Sequence, residues 1–175
     1  MPIARVENGA VAEVRHDLNI GDVPPHKAHA WKPIVFEGAG SNEQRVVDGD
    51  TVKVIRSPTS EDVDAERDHR LQTFMYDGKL FDYDPVSRGR IETARNSAGW
   101  AMVAGKQPGD LRWADPNVDF GWIAADNSFV TMDAPTTLAF GNAAAAWEGL
   151  HIVKARLLKD MNPIPGDFQN DTYWP

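Results

Sequence analysis

The sequence has no cysteine among its 175 residues. This absence excludes disulfide bonds, thiolate zinc sites and cysteine nucleophiles. No apolar run approaches the ~20 residues that a membrane-spanning helix needs. The first residues also lack the basic region and apolar run of a secretory signal. We therefore expect a soluble protein without membrane insertion or export signal.

Basic residues are also scarce, with 18 lysines and arginines against 26 acidic residues and a formal net charge of -8. Proteins that bind nucleic acid need positive surfaces to neutralise phosphates. We therefore expect no nucleic-acid partner. The hydrophobic fraction of 42% and the charged fraction of 25% are typical of a globular protein, and the length suits one principal core with a smaller appendage.

Recognisable catalytic motifs are missing as well. No glycine-rich phosphate loop follows a predicted strand, and no serine lies in a nucleophile-elbow pattern. The sequence thus predicts no catalytic residue, no cofactor and no metal site, and we expect the protein not to be an enzyme.

One hairpin nevertheless contains side chains that bind hard cations. The stretch 45–52 places Asp48 and Asp50 beside Gly49, which resembles the calcium-holding turn of staphylococcal-nuclease-like proteins. The downstream segment of that family is missing here. Asp-Gly is also an ordinary two-residue hairpin turn, so the structural interpretation is favoured.

Two further groups of side chains carry metal-ligating atoms. His26 and His29 lie three residues apart, but two imidazoles in a proline-rich segment are an incomplete ligand set, which favours solvated loop histidines. Four aspartates would form a carboxylate site only if their hairpins met in space, and each also suits a turn or a helix cap. These are Asp82, Asp84, Asp115 and Asp119.

Four tryptophans offer an alternative, glycan-binding interpretation, because indoles stack on sugar rings. Tryptophans near strand ends and in helices more often fill a core, which is the interpretation favoured here. The four are Trp100, Trp113, Trp122 and Trp147.

Turn residues and prolines divide the chain. Asn8-Gly9 and Asp48-Gly49 predict hairpins within a β-rich module over 1–57, interrupted by a proline-rich connector at 23–33 with one helical turn. An almost wholly polar helix over about 60–73 links this module, within a segment 58–74, to the rest of the chain.

The remainder predicts a compact α+β domain over 75–161. We expect a hairpin at Asp77-Gly78, a helix over 86–104, short strands at 111–113 and 120–123, a hairpin at Asp126-Asn127 and a final helix capped by Asp133 or Thr136. Apolar residues recur with helical period along that final helix. They are Ala139, Ala143, Ala146, Leu150, Val153 and Leu157.

The tail 162–175 has no periodicity but carries Phe168, Tyr173 and Trp174. Aromatic residues in a polar terminal segment predict docking, either onto the chain's own surface or onto a neighbouring protein. These three residues are the candidate partner-docking site. The whole pattern is an α+β fold, in which a small β-rich module is joined by a polar helix to a hairpin-helix-hairpin-helix domain.

About half of the chain, from Arg70 to Asp160, resembles a domain of unknown function found in tailed-phage and prophage genes near tail fibres. The residues that carry the resemblance are turn, cap and helix-seam positions. They include Tyr76-Asp77-Gly78, Phe81-Asp82-Tyr83-Asp84, Ser87, Ile91, Ala94, Ala98, Trp122, Ala125-Asp126-Asn127 and Val130-Thr131-Met132-Asp133.

The resemblance implies a structural protein of the virion tail, baseplate or tail fibre, made in the host cytoplasm, whose partners are other tail or fibre proteins. Tail assemblies repeat their parts, so a homo-oligomer is expected, with a trimer as one form. Two alternatives stay open: a fibre-assembly chaperone absent from the mature particle, and a glycan-binding accessory for receptor recognition.

Overall fold

The computed structural model describes all residues from Met1 to Pro175. Helices and strands are mixed along the chain, so the predicted α+β class is confirmed. The chain divides into two compact units, the first formed by residues 1–63 with 158–170 and the second by 64–157 with 171–175. Each unit is described by itself.

The first unit contains one five-stranded sheet. Its strands are β1 (Ile3–Glu7), β2 (Ala10–Arg15), β3 (Trp31–Glu37), β4 (Asn42–Asp48) and β5 (Thr51–Ser57). They are arranged in the order β2-β1-β3-β5-β4, with β3 and β5 parallel and the other pairs antiparallel. The sheet curls until its two edge strands, β2 and β4, approach each other.

Both predicted hairpins of this sheet are confirmed, although the second turns at Gly49-Asp50 and not at Asp48-Gly49, because Asp48 pairs with Thr51. Asn8 and Gly9 have φ angles of 52° and 78°, as a type I′ turn requires, and Gly49 has a φ of 55°. Between β2 and β3, the expected single helical turn is a short 3₁₀ turn at Ala28–Ala30. The curled sheet encloses a small core of aliphatic side chains, formed by Ala4, Ile34, Val52 and Val54.

The second unit contains most of the three α-helices and two short β-hairpins. The elements are α1 (Ser60–Arg70), β6 (Thr73–Tyr76), β7 (Lys79–Asp82), α2 (Pro85–Val103), β8 (Gly121–Ile123), β9 (Phe129–Thr131) and α3 (Ala134–Lys159). The beginning of α1 and the last two residues of α3 belong to the first unit. The predicted helix over 60–73 is thus three residues too long, because Thr73 already pairs with Asp82 in the β6–β7 hairpin.

Aromatic rings form the core of the second unit. Phe140 of α3 lies at centroid distances of 5.1 Å from Phe74 and 4.8 Å from Phe81, and the ring of Tyr83 meets Phe74 edge-on at 5.3 Å. Such tilted and edge-on pairs are the favoured geometry for aromatic rings. This cluster therefore attaches α3 to the β6–β7 hairpin.

Helices α2 and α3 approach closely at Gly141. A Cβ atom at this position would lie 2.6 Å from Cβ of Arg95, closer than packed carbon atoms allow. Glycine at 141 is therefore needed for this helix pair.

The predicted strand at 111–113 is wrong. Arg112 N–H donates to Oδ1 of Asp110 at 3.0 Å, which turns the backbone, and the indole of Trp113 is buried with Nε1 donating to the carbonyl of Met132 at 3.1 Å. The apolar character of this segment reflects one buried side chain and no strand pairing.

The helical period predicted for the last helix is correct. The apolar stripe from which that period was predicted is, however, not the buried face of the helix. Thr137, Phe140, Ala144 and His151 are each at most 1% exposed. By contrast, Leu150, Val153 and Leu157 are 53%, 56% and 53% exposed. The helix therefore carries apolar residues both on its buried face and on a face that points away from the core.

Asp133 caps α3, as predicted. Its Oδ1 accepts from Thr136 N–H at 2.8 Å and its Oδ2 from Gly109 N–H at 2.7 Å, which ties the preceding loop to the helix start. The hydrogen bonds from Thr136 and Gly109 hold the pKa of Asp133 below its usual value.

We expect Asp133→Ala to lower the free energy of unfolding by about 1 kcal/mol, the usual contribution of a helix cap. Because the pKa of Asp133 is depressed, the contribution is present above pH ~4 and is lost as the pH falls through the folded-state pKa. Urea unfolding at pH 7 and pH 3 measures both effects. Asp82→Ala, at an exposed position of β7, is the matched control and should unfold like the wild type; equal losses in both variants would contradict the cap.

Candidate interaction site

An open groove runs along one side of α2 in the second unit and has a volume of about 750 Å³. We call it the α2 groove. One wall is formed by α2 and the other by an aromatic surface from the chain between α2 and β8. The residues that line it are Val86, Gly89, Arg90, Thr93, Ala94, Ser97 and Ala101 on the helix, and Trp113, Ala114, Phe120 and Trp122 opposite.

Small side chains on α2 leave this groove open. Gly89, Ala94 and Ser97 occupy successive turns of the helix and are too short to fill the space before them. The helix-seam residues of α2 lie on two sides of the helix: Ile91 and Ala98 are buried, whereas Ala94 borders the groove. The small side chains of α2 therefore shape an open surface on one side and pack into the core on the other.

The aromatic wall is rigidly held. The rings of Trp113 and Phe120 lie 4.5 Å apart between centroids, and the indole N–H of Trp113 is fixed on the carbonyl of Met132. The backbone of Phe120 is held on both sides, by Leu111 at 2.7 Å and by Met132 at 2.9 Å. The groove is therefore preorganised, which reduces the entropy lost when a ligand binds.

Arg90 is the only titratable side chain that lines the α2 groove. It is exposed, and its positive charge adds to the hydrogen bonds that lower the pKa of Asp84. General acid-base catalysis and nucleophilic catalysis need a donor, a base or a nucleophile within hydrogen-bond reach of one another. The groove offers one fixed positive charge beside apolar rings, an arrangement suited to binding.

Apart from the α2 groove, a cluster of polar side chains joins the end of β7 to α2 and α3. Tyr83 donates its hydroxyl to Oε2 of Glu148 at 2.9 Å, while Nη1 of Arg88 donates to Oε1 of the same carboxylate at 2.6 Å. Burial and the Glu148 carboxylate raise the pKa of Tyr83 to about 12. The phenol is therefore protonated near neutral pH, and its hydrogen bond serves to cross-link the three elements.

The aromatic tail lies against the chain's own surface. Phe168 and Trp174 are 3% and 5% exposed, and Tyr173 is half-buried. In the second unit, the Trp174 ring stacks on the His151 imidazole at 6.0 Å, and the guanidinium of Arg70 lies 5.2 Å from the Trp174 centroid. The first of the two docking modes considered for this segment is thus present; docking onto a neighbouring protein stays a prediction.

His151 anchors this contact from α3. Its Nδ1 donates to the carbonyl of Trp147 at 2.9 Å, and its ring is fully buried between Trp147 and Trp174. Burial, with a smaller contribution from the nearby Arg70 charge, lowers the pKa of His151. No sequence pattern indicated this role, because a helical histidine has the same sequence signature whether it is solvated or buried.

The exposed stripe of α3 is the second uncovered apolar surface of this unit. We call it the α3 seam, formed by Ala139, Ala143, Ala146, Leu150, Val153 and Leu157. Its three large residues are each more than half exposed. Contiguous apolar surface of this kind marks interaction sites in soluble proteins.

The acidic and histidine candidates have local structural contacts. Asp48 and Asp50 lie at the β4–β5 turn, where Nζ of Lys53 is 2.9 Å from Asp48. His26 and His29 are exposed in the connector. No group of three or more histidine and acidic side chains is placed to hold a metal ion.

The four scattered aspartates likewise have separate surroundings. Asp84 caps α2 by accepting from Val86 N–H at 2.8 Å, Asp119 pairs with Arg112 at 2.9 Å, and Asp115 accepts from Asn117 N–H at 2.8 Å. Asp82 is exposed on β7. Cap and turn chemistry therefore accounts for Asp84 and Asp115, and an ion pair accounts for Asp119.

The tryptophans are mostly packed. Trp113 is 7% exposed, and Trp122 and Trp147 are half-buried, whereas Trp100 is 73% exposed near the end of α2. A sugar platform built from two exposed, coplanar indoles is not formed by these four residues.

Comparison with known proteins gives one match. A domain of unknown function, DUF4376, matches residues 54–172. The chain belongs to the DUF4376 family. The DUF4376 match takes in the α2 groove, the α3 seam and most of the tail, and starts within β5 of the curled sheet.

No curated protein and no solved structure matches the chain. In this DUF4376 protein, no helix is long and apolar enough to cross a bilayer.

We expect the His151 contact to make stability depend on pH. The folded-state pKa lies below the ordinary value of 6.5, so the folded state resists protonation and the free energy of unfolding falls as the pH drops below about 6.5. Between pH 7.5 and pH 5.5, the free energy of unfolding of His151→Gln should fall by less than that of the wild type, as measured by urea unfolding. The exposed His69→Gln is the control and should keep the wild-type dependence. A wild-type dependence in His151→Gln would show that this residue is not responsible.

Proposed function

We propose that this chain is a non-enzymatic structural component of a tailed-phage virion, associated with the tail, baseplate or tail fibre, and that it acts through protein-protein contacts. The α2 groove is the observation that carries the proposal. It is an open, preorganised apolar surface whose only titratable side chain is Arg90. The resemblance of residues 70–160 to tail-fibre-associated phage proteins supports the finer assignment to the tail.

The groove suits a protein segment of definite chemistry. Trp113, Phe120 and Trp122 present rings to it, so a large apolar side chain of the partner would be desolvated against them. A carboxylate beside that side chain would pair with Arg90, whose guanidinium is exposed. The occupant we propose is therefore a segment of a tail or fibre protein that carries an apolar anchor next to an acidic residue.

The localisation that follows is the virion tail. The chain would be made in the host cytoplasm and joined to its partners during assembly. A fibre-assembly chaperone would use the same groove but leave before maturation. A glycan-binding accessory has less support, since Trp100 alone of the four tryptophans is largely exposed.

We expect the protein to copurify in fixed copy number with particles of the phage or prophage that carries its gene, as measured by quantitative mass spectrometry. Presence in assembling lysate and absence from mature particles would replace this role with the chaperone. Absence at every stage would overturn a tail role altogether.

Filling the α2 groove tests its part in this association. Ser97 is exposed on the groove wall, so Ser97→Trp should occupy the space without disturbing the core and should reduce incorporation into particles at least tenfold. Asn96→Trp introduces the same side chain at the neighbouring exposed position, which does not line the groove, and should incorporate normally. Equal incorporation of both variants would exclude the groove as the contact, while thermal unfolding confirms that both are folded.

A further inference from the structure

The α3 seam has the spacing of a coiled-coil interface. Its six residues are separated alternately by four and three positions, so they occupy the a and d positions of a heptad repeat over 139–157. This spacing keeps one narrow stripe facing a partner helix of the same kind. None of the six seam residues has a charged or polar side chain.

The seam is not used by the fold of its own unit. The core of the second unit covers a different face of α3, through Phe140, Ala144 and His151, each at most 1% exposed. Leu150, Val153 and Leu157 remain more than half exposed, and Ile152 beside them is 50% exposed. Four large aliphatic residues in one stretch of eight are thus left in solvent on the isolated chain.

We propose that the α3 seam pairs with the α3 seam of a second copy of this chain, in antiparallel orientation about a two-fold axis. The inference deepens the proposed function, since it names a partner for one of the two interaction surfaces and rests on that assignment to protein-protein contacts. A seam with heptad spacing is complementary to a helix with the same spacing, and a second copy supplies one. Two-fold pairing through the same patch is also the commonest form of self-association.

Residue size decides the orientation. The seam is small in its first half, with Ala139, Ala143 and Ala146, and large in its second half. Antiparallel pairing places Leu157 against Ala139, Val153 against Ala143 and Leu150 against Ala146 of the second copy. The helices can then keep one separation throughout, because the distance between axes depends on the side chains at each contact.

Parallel pairing would instead stack leucine on leucine at one end and alanine on alanine at the other. The two ends would then require different distances between the helices. Opposed helix dipoles also favour the antiparallel arrangement.

The charged side chains beside the α3 seam are compatible with this self-pairing. In the antiparallel register, Lys154 and Arg156 beside the seam face positions 142 and 140 of the second copy, which carry no charge. No two like charges meet, although the chain as a whole carries a net charge of -8. Like charges across an interface are the usual device against self-association, and the seam lacks it.

The size of the isolated protein tests the pairing. We expect dimers that dissociate on dilution, measured by sedimentation equilibrium. Val153→Glu places an unpaired carboxylate against the apolar seam of the other copy, at two sites in the dimer, and should weaken dimerisation by roughly a hundredfold or more. Ala145→Glu, at an exposed position of α3 outside the seam, is the matched control and should dimerise like the wild type. Circular dichroism verifies that both variants are helical.

Cysteine cross-linking tests the orientation, and the chain is suited to it because it has no native cysteine. A mixture of Ala139→Cys and Leu157→Cys proteins should form disulfide-linked dimers at least tenfold faster than either variant alone. Rapid cross-linking of Ala139→Cys with itself, or a trimeric mass, would establish a parallel assembly such as the trimer considered above and overturn the antiparallel pair.

Failure of this inference is separable from failure of the proposed function. A wild-type protein that stays monomeric up to its solubility limit, or a Val153→Glu variant that dimerises normally, would overturn the α3 pairing and leave incorporation into particles unaffected. A dimer that never appears in particles would sustain the pairing and overturn the tail role.

Discussion

The packing of Phe140 is the contact on which the second unit depends. Its ring meets those of Phe74 and Phe81 from the β6–β7 hairpin, and those of Tyr76 and Trp122 at 5.3 Å and 5.7 Å. Because one ring contacts both hairpins, it fixes the rotation of α3 about its own axis. That rotation determines which side of the helix is buried and leaves the α3 seam in solvent.

Polar groups in this unit also form contacts that join its helices and strands. Tyr83 and Arg88 both donate to the Glu148 carboxylate between the end of β7, α2 and α3, and burial beneath the tail lowers the pKa of His151. Buried polar groups without partners are costly, so these contacts stabilise the arrangement of helices that they join. Two surfaces are left uncovered: the α2 groove, which is bordered by aromatic rings and Arg90, and the aliphatic α3 seam.

These two surfaces differ in what they suit. The α2 groove is concave, aromatic on one wall and bordered by Arg90, which favours an inserted side chain from a different protein. The α3 seam is a straight aliphatic stripe with heptad spacing, which favours a second helix. In the role proposed here, the seam would contact a second copy of the chain and the groove would bind a neighbouring protein.

The sequence by itself determined the local elements. Asn8-Gly9 and Asp77-Gly78 adopt positive φ angles at low cost, and Asp84 and Asp133 bind free amide groups at helix starts, so hairpins and helices were predictable from a few residues. Only the tertiary structure decided the parallel pairing of β3 with β5, the openness of the α2 groove and the buried face of α3. These depend on contacts between residues far apart in the chain, and a helix with apolar residues on two faces does not reveal from its period which face the core will cover.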